Sequence, residues 1–296
     1  MADVKETKVF INGTFVPESE ATISVRDRSF LYGDGVFEGI AVFEGKIMFL
    51  REHVERLYAS CRQVYIEMPV PPAQMETWIL ETARVNELFD HAYLRPLVSR
   101  GEGALGLDQT AAIRKPNIVI IPQAGRAIEY GGPMKSYSAV MAAVRRVPAE
   151  CLDSRIKGNN YLNNILAQLE ATRQGVGLAI MLDTHGFLSE CPGHNLFVVR
   201  QGRLLTPRAH NVLNGITRQM VLELAPSAGV AAAEADLTAY DLGTADEVFV
   251  TNSLSGVAAV TEIGGWTVAD GKPGPISQRL RDVYVRHALQ RGTSVR

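Results

Sequence analysis

Cysteine is scarce in this chain, with three among 296 residues, at positions 61, 151 and 191. Thiols so few and so widely spaced form neither a disulfide framework nor a metal-ligand cluster. No metal is expected, and a reducing cytoplasm is the natural compartment. An excess of one charge is lacking too. Thirty basic residues stand against 32 acidic ones, a formal net charge of −2 with no long basic run, which argues against a nucleic-acid partner. No apolar stretch reaches the ~20 residues of a membrane span. Residues 1–7 are polar, without a signal-peptide core, so neither membrane nor export is expected. Internal repeats and low-complexity tracts are absent.

What is present is an ordinary globular composition, 46% hydrophobic and 21% charged, long enough for one large domain or two ordinary ones. Lys8 to Pro17 reads as a hairpin turning at Asn12-Gly13. Ala41–Phe43 and Lys46–Phe49 read as strands around Glu44-Gly45. Helical spacing follows over Glu52–Tyr65 and, beyond a proline break, Gln74–Asn86. Ala92–Arg100 and Asn117–Pro122 read as strands, and Arg100–Leu107 as a glycine-rich loop. Residues 123–135 carry glycines and a proline with little periodicity. They are the expected linker between a smaller N-terminal α/β domain, 1–122, and a larger C-terminal domain, 136–296.

The stretch from Arg155 to Asn164 puts one lysine, Lys157, just ahead of polar amides and Tyr161, and then opens into an amphipathic helix. A lysine becomes a reagent when its neutral amine is aimed at a carbonyl. By itself the stretch also fits a solvated lysine at a helix start. Other features suit a phosphorylated carbonyl cofactor. Thr217 enters a helix just after a glycine, where free N–H groups attract phosphate. Thr251–Gly256 is a strand-end turn with hydroxyls and amides. Glu190 lies in a turn of small residues. Tyr32-Gly33-Asp34-Gly35 sets glycines among aromatics, where the backbone must turn tightly or approach something closely, yet it matches no phosphate-loop pattern.

Seven motifs in register give the chain a family resemblance. They are Tyr32–Ile40, Glu52–Leu57, Tyr93-Leu94-Arg95-Pro96, Ser99-Arg100-Gly101-x-Gly103, Lys157 with Asn160–Asn164, Glu190-x-x-x-x-Asn195-Leu196-Phe197, and Gly215–Arg218. Between Tyr32 and about Val260 the sequence resembles the class IV pyridoxal-phosphate aminotransferases, above all branched-chain enzymes of bacterial and archaeal type. The resemblance implies a two-domain α/β enzyme of fold type IV, with pyridoxal 5′-phosphate at the domain interface. It implies that Lys157 holds the cofactor aldehyde as an imine and shuttles the proton between substrate Cα and cofactor C4′. Glu190 would pair with the pyridine nitrogen, Tyr161 with the ring 3′ oxygen, and Asn195 would belong to the cofactor side. Arg56 would clamp the phosphate together with the amides of Ile216 and Thr217 and with Ser253. Tyr32, Phe37, Tyr93, Arg95, Leu105, Leu254 and Ser255 would line the substrate side, Arg95 taking a carboxylate. The minimum assembly would be a homodimer, the Gly103–Leu107 loop of one subunit completing the other's site. The expected activity is transamination of a hydrophobic, branched-chain-type amino acid with a 2-keto acid such as 2-oxoglutarate.

This sequence departs from the family pattern in places. Ala41 stands where an arginine is usual, Thr251–Gly256 replaces Thr-Gly-Thr-Ala-Ala-Glu, and Cys191-Pro192-Gly193-His194 replaces a glycine-rich run. The substrate pocket is therefore open to other readings: a D-amino acid or (R)-amine transaminase, or an aminodeoxychorismate-type lyase. Outside this chemistry, Cys191 and His194 suggest a cysteine hydrolase, though their close spacing on one segment argues against an oriented dyad. A catalytically silent binding protein is the remaining contrast.

Overall fold

The computed structural model describes residues 6–108, 115–125 and 132–296. The chain forms two compact units, Met1–Ile128 with Ile156–Asn160 and Arg291–Arg296, and Glu129–Arg155 with Tyr161–Gln290. A single division at 123–135 misses the two returns to the first unit. Residues 126–131 of that stretch lie outside the described residues.

In the first unit, β1 (Lys8–Ile11) and β2 (Thr14–Pro17) form the expected hairpin. Asn12 and Gly13 take φ of 50° and 98°, the left-handed turn that Asn-Gly adopts cheaply. Helix α1 (Arg28–Tyr32) is capped by Asp27, whose carboxylate accepts the Ser29 N–H at 2.8 Å. Five residues carry too little periodicity to be read from sequence. Then come β3 (Gly35–Phe37), β4 (Ile40–Phe43) and β5 (Lys46–Ile47). The strand expected through Phe49 stops at Ile47, because Phe49 adopts φ of 50° and turns the chain into α2 (Leu50–Gln63). Helix α3 (Pro72–Val85) opens on a proline, whose missing N–H costs nothing there.

Strands β6 (Ala92–Ser99) and β7 (Asn117–Gln123) complete an antiparallel sheet. Its order is Thr293–Ser294, β5, β4, β6, β7, β1, β2, with β3 also paired to β6. Helices α2 and α3 bury Val54, Leu57, Cys61, Met75, Ile79 and Ala83 against Phe10, Ile40, Val42, Leu94 and Ile120. Fully burying each large side chain is worth ~1.5–3 kcal/mol, so this stripe fixes α2 on the sheet.

The second unit is built from β8 (Ser136–Met141), α4 (Leu162–Arg173), β9 (Leu178–Ile180), β10 (Glu190–Cys191), β11 (His194–Arg200) and β12 (Arg203–Pro207). It continues with α5 (Ile216–Leu224), β13 (Ala232–Ala235), α6 (Ala239–Gly243), β14 (Glu247–Asn252), β15 (Gly256–Ile263), β16 (Trp266–Thr267) and α7 (Pro275–Arg291). The sheet order is β13-β12-β11-β14-β15-β8-β9, with β10 on β11 and β16 on β15. It is mixed: β12–β13, β15–β8 and β8–β9 are parallel. Residues 247–251 of β14 are buried throughout, the pattern of a strand covered on both faces. Ala167 and Ala171 let α4 pack closely on Val140, Ala179 and Met181. The architecture is mixed α/β with two sheets, as the sequence indicates. No helix among the described residues is long and apolar enough to cross a membrane.

Candidate active site

Lys157 belongs to the first unit, although the chain on either side of residues 156–160 runs in the second. Its backbone is sewn to β3: Phe37 N–H donates to Lys157 O and Asn159 N–H to Gly35 O, both at 2.9 Å, around a Val36–Gly158 bridge. Asn159 Nδ2 donates to Ser29 Oγ at 2.7 Å, and Asn160 Nδ2 to Gly33 O at 3.0 Å. On the helix side, Lys157 N–H donates to Ser60 Oγ at 3.3 Å. The ammonium lies 4.6 Å from the Phe37 ring centroid, within cation–π range. The lysine and the glycine–aromatic motif, about 120 residues apart in sequence, are thus one local structure. The glycine motif receives a chain segment rather than a phosphate.

Arg95 lies over the same Phe37 ring at 4.9 Å and over Tyr93 at 5.4 Å. Its Nε and Nη2 donate to Tyr93 Oη at 3.0 and 2.9 Å. Arg56 is clamped by buried Glu38, Nε to Oε1 and Nη2 to Oε2, both at 2.7 Å. Tyr32 accepts the Gly106 N–H on its hydroxyl at 2.8 Å. The loop residue Leu105 is 69% exposed. In the first unit, then, Lys157, Phe37 and Arg95 come together, Arg56 lies on the helix that also carries Ser60, and Tyr32 meets the 103–107 loop.

The second unit carries the remaining expected residues. Glu190, 4% exposed, accepts from Arg146 Nε at 3.0 Å on one oxygen. Its other oxygen accepts from Asn195 Nδ2 at 3.1 Å and Leu213 N–H at 2.9 Å. Asn195 also donates to Leu213 O at 2.8 Å. Tyr161 is the N-cap of α4 and caps it with no side-chain hydrogen bond. Ile216 and Thr217 open α5, whose N-cap Gly215 likewise offers no side-chain acceptor. Half-buried Ser253 and Leu254 and buried Ser255 lie in the turn after β14. Asn252 Oδ1 locks that turn, accepting the amides of Leu254 and Ser255 at 3.0 and 2.7 Å and the Ser255 hydroxyl at 2.9 Å. Among the described residues, no group of three or more His, Cys, Asp or Glu could hold a metal ion.

A family model described as "Amino-transferase class IV" matches residues 35–263. The chain belongs to the class IV aminotransferases.

Within that family it is 41% identical to a putative branched-chain-amino-acid aminotransferase of Methanocaldococcus jannaschii, over 94% of this chain and 95% of that one. It is 32% identical to a D-alanine aminotransferase of Listeria monocytogenes, over 96% of each. Among solved structures, it superimposes on a T.th. branched-chain amino acid aminotransferase complexed with N-(5′-phosphopyridoxyl)-L-glutamate. The TM-score is 0.92 at 32% identity, covering 99% of both chains.

Several residues that hold Glu190 in this aminotransferase are not legible as its partners in the sequence. Arg146 is one; its only sequence signal is an Arg145-Arg146 pair between a strand and Lys157. Asn164, which accepts from Arg146 Nη1 at 3.1 Å, and the Leu213 amide are others. The hydrolase reading fails on burial. Cys191 and His194 face each other across the β10–β11 turn, and burial, with Glu190 adding to it, pushes the Cys191 thiol well above its ordinary pKa. A thiol held protonated is no nucleophile.

Proposed function

We propose that this aminotransferase moves the amino group of a branched-chain-type hydrophobic amino acid to a 2-keto acid such as 2-oxoglutarate, using pyridoxal 5′-phosphate. The observation that carries the reading is the fixing of Lys157 from both sides, with its amine over the Phe37 ring. The stronger identity to the branched-chain relative, 41% against 32% for the D-alanine relative, favours the L-branched-chain donor. The neighbour's adduct joins the pyridoxyl group to glutamate, the amino counterpart of 2-oxoglutarate.

The donor set fits the cofactor. Glu190 is a buried carboxylate whose oxygens are oriented by three donors, suited to a ring N–H. The α5 start has no side-chain cap, leaving a helix N-terminus of the kind that attracts phosphate. Lys157 is the one residue of the set able to form a covalent link to an aldehyde. When bound, pyridoxal phosphate supplies that aldehyde and a ring that accepts electrons. Lys157 Nζ would anchor the cofactor and, once released, carry the proton on and off the substrate Cα, help typically worth ~10²–10⁴ in rate. Glu190 would hold a proton at the ring nitrogen. Tyr161 would orient the ring oxygen, with Asn195 steadying Glu190. Arg56, the Ile216 and Thr217 amides and Ser253 would bind the phosphate. Tyr32, Phe37, Tyr93, Leu254 and Ser255 would shape the substrate side, and Arg95 would take a carboxylate.

The working unit is a homodimer at least. Arg28 Nη1 holds the carbonyl of Gly106 at 3.1 Å, and Tyr32 holds its amide. The loop thus presents Leu105 and Leu107, 69% and 78% exposed, which supports its insertion into a second copy. The compartment is the cytoplasm, in keeping with three free cysteines.

The test is direct. Purified protein given pyridoxal phosphate turns yellow, and borohydride bleaches it with a label on Lys157; Lys157→Ala stays folded and loses turnover. A panel of L-branched-chain, D-amino acid and simple amine donors then decides the substrate, and turnover of D-alanine alone would overturn the reading.

A further inference from the structure

Glu38 is fully buried and its charge is spent inside the protein. Both of its oxygens accept from Arg56, and Oε2 also meets His53 Nδ1 at 2.7 Å, His53 being 1% exposed. A buried carboxylate is costly to keep. Burial by itself would raise the Glu38 pKa, yet Arg56 and then His53 hold it well below the usual carboxylate range. Burial lowers the His53 pKa, opposed by Glu38, while Arg56 and Lys157 lower it further. His53 is thereby biased toward the neutral imidazole, a hydrogen-bond partner for Glu38.

The geometry has a direction. Glu38 takes the Nε–Nη2 edge of the guanidinium, so the Nη1 end is turned away from it. His53 and Arg56 lie one turn apart on α2, and Arg56 and Ser60 a further turn apart, on neighbouring ridges. Ser60 is the residue that receives the Lys157 amide. An arginine side chain has several rotatable bonds and ordinarily loses much freedom on binding an anion. Here that freedom is already lost before any anion arrives. We propose that Glu38, backed by His53, is a positioning residue for cofactor binding: it fixes the Arg56 guanidinium so that the face turned from Glu38 meets the cofactor phosphate.

The inference rests on the reading of Arg56 as a phosphate ligand. Electrostatics makes a contrary demand, because a carboxylate beside a phosphate weakens the attraction. Orientation wins if removing the charge weakens the hold on phosphate, and loses if it strengthens it.

The experiment compares the affinity of apoprotein for pyridoxal 5′-phosphate with that for pyridoxal, the ratio reporting phosphate recognition without turnover. Arg56→Ala should erase much of the wild-type preference. Glu38→Gln should reduce it on the order of tenfold, as for loss of a charge-assisted hydrogen bond. In the Arg56→Ala background, Glu38→Gln should change the ratio little, which a merely structural role would not produce. If Glu38→Gln does not fold, His53→Asn takes its place with the same expected direction. An Arg56→Ala protein that keeps its preference overturns the reading of Arg56. One that loses it while Glu38→Gln and His53→Asn keep or raise theirs overturns the role of Glu38 alone.

Discussion

Gly35 and Asn159 touch so closely that no side chain fits between them: a Cβ on Gly35 would lie 2.7 Å from Asn159 Nδ2 and 2.8 Å from Val98 O. Both neighbours are fixed, Val98 by the β3–β6 pairing and Asn159 by Ser29. Gly35→Ala must therefore push residues 156–160 off β3. It should cost ~1–3 kcal/mol, as overpacking does, and misplace Lys157. Thermal unfolding should show the loss, and the fraction of Lys157 labelled by borohydride should fall. Wild-type labelling would show that the close approach is unimportant to the lysine.

Arg146 holds Glu190 from within the same unit. Removing it as Arg146→Met leaves a buried carboxylate short of its charged partner, a change typically costing ~3–5 kcal/mol. On the role proposed for Glu190, turnover should drop on the order of a hundredfold, as small misplacements of a group that acts on the reacting atoms do. Arg146→Lys should recover only part, because a lysine cannot supply both the Glu190 and the Asn164 bonds from one planar fork. Steady-state kinetics and calorimetry on the three proteins check both effects.

The sequence made much of this readable, for particular reasons. Helices α2 and α3, 14 residues each, carry apolar stripes, and the Asn12-Gly13 turn has one cheap conformation, so both are evident. Lys157 and Glu190 are singled out by the seven motifs in register, each alone fitting a structural role as well. Arg146 did not: an arginine pair in a loop has the look of solvated charge until the fold brings Glu190 to it across 44 residues. The return of residues 156–160 to the first unit was equally hidden. It depends on backbone bonds to Gly35 and Phe37, which no side-chain pattern encodes. Glu38 and His53 fall within the Tyr32–Ile40 and Glu52–Leu57 motifs, but their burial, and hence their pairing, is a property of the packed α2–sheet interface.

His194 gives the protein a pH-dependent stability. It lies beside the turn after β14, its Nε2 3.5 Å from Ser255 Oγ, its ring edge-on to Tyr137, and its Nδ1 sealed without a partner. Burial, aided by the Lys135 charge, lowers its pKa to about 4. Unfolded, it would titrate near ~6.5. The unfolded chain thus binds the extra proton between those values, and stability falls as pH drops from ~6.5 toward ~4. The full loss is ~3 kcal/mol at most. His194→Asn should flatten that part of the profile. Urea unfolding of both proteins at about pH 7 and about pH 4.5 checks this, and an unchanged difference would clear His194 of the effect.

Tyr93 gives the most selective prediction. Its hydroxyl receives both Nε and Nη2 of Arg95, and its ring, with that of Phe37, supports the guanidinium. Tyr93→Phe keeps both rings and deletes the acceptor, so the arginine loses its aim but not its seat. Two hydrogen bonds to a charged group are worth ~1.5–3 kcal/mol each in direct contacts, but water can replace part of the loss. If Arg95 binds the distal carboxylate of a dicarboxylic keto acid, KM for 2-oxoglutarate should rise about tenfold while kcat changes little. A monocarboxylic branched-chain keto acid makes no demand on that arginine, and its KM should stay near wild type. Measuring both acceptors on one variant separates aim from general damage to the pocket. An equal rise for the two would assign Tyr93 to shape alone.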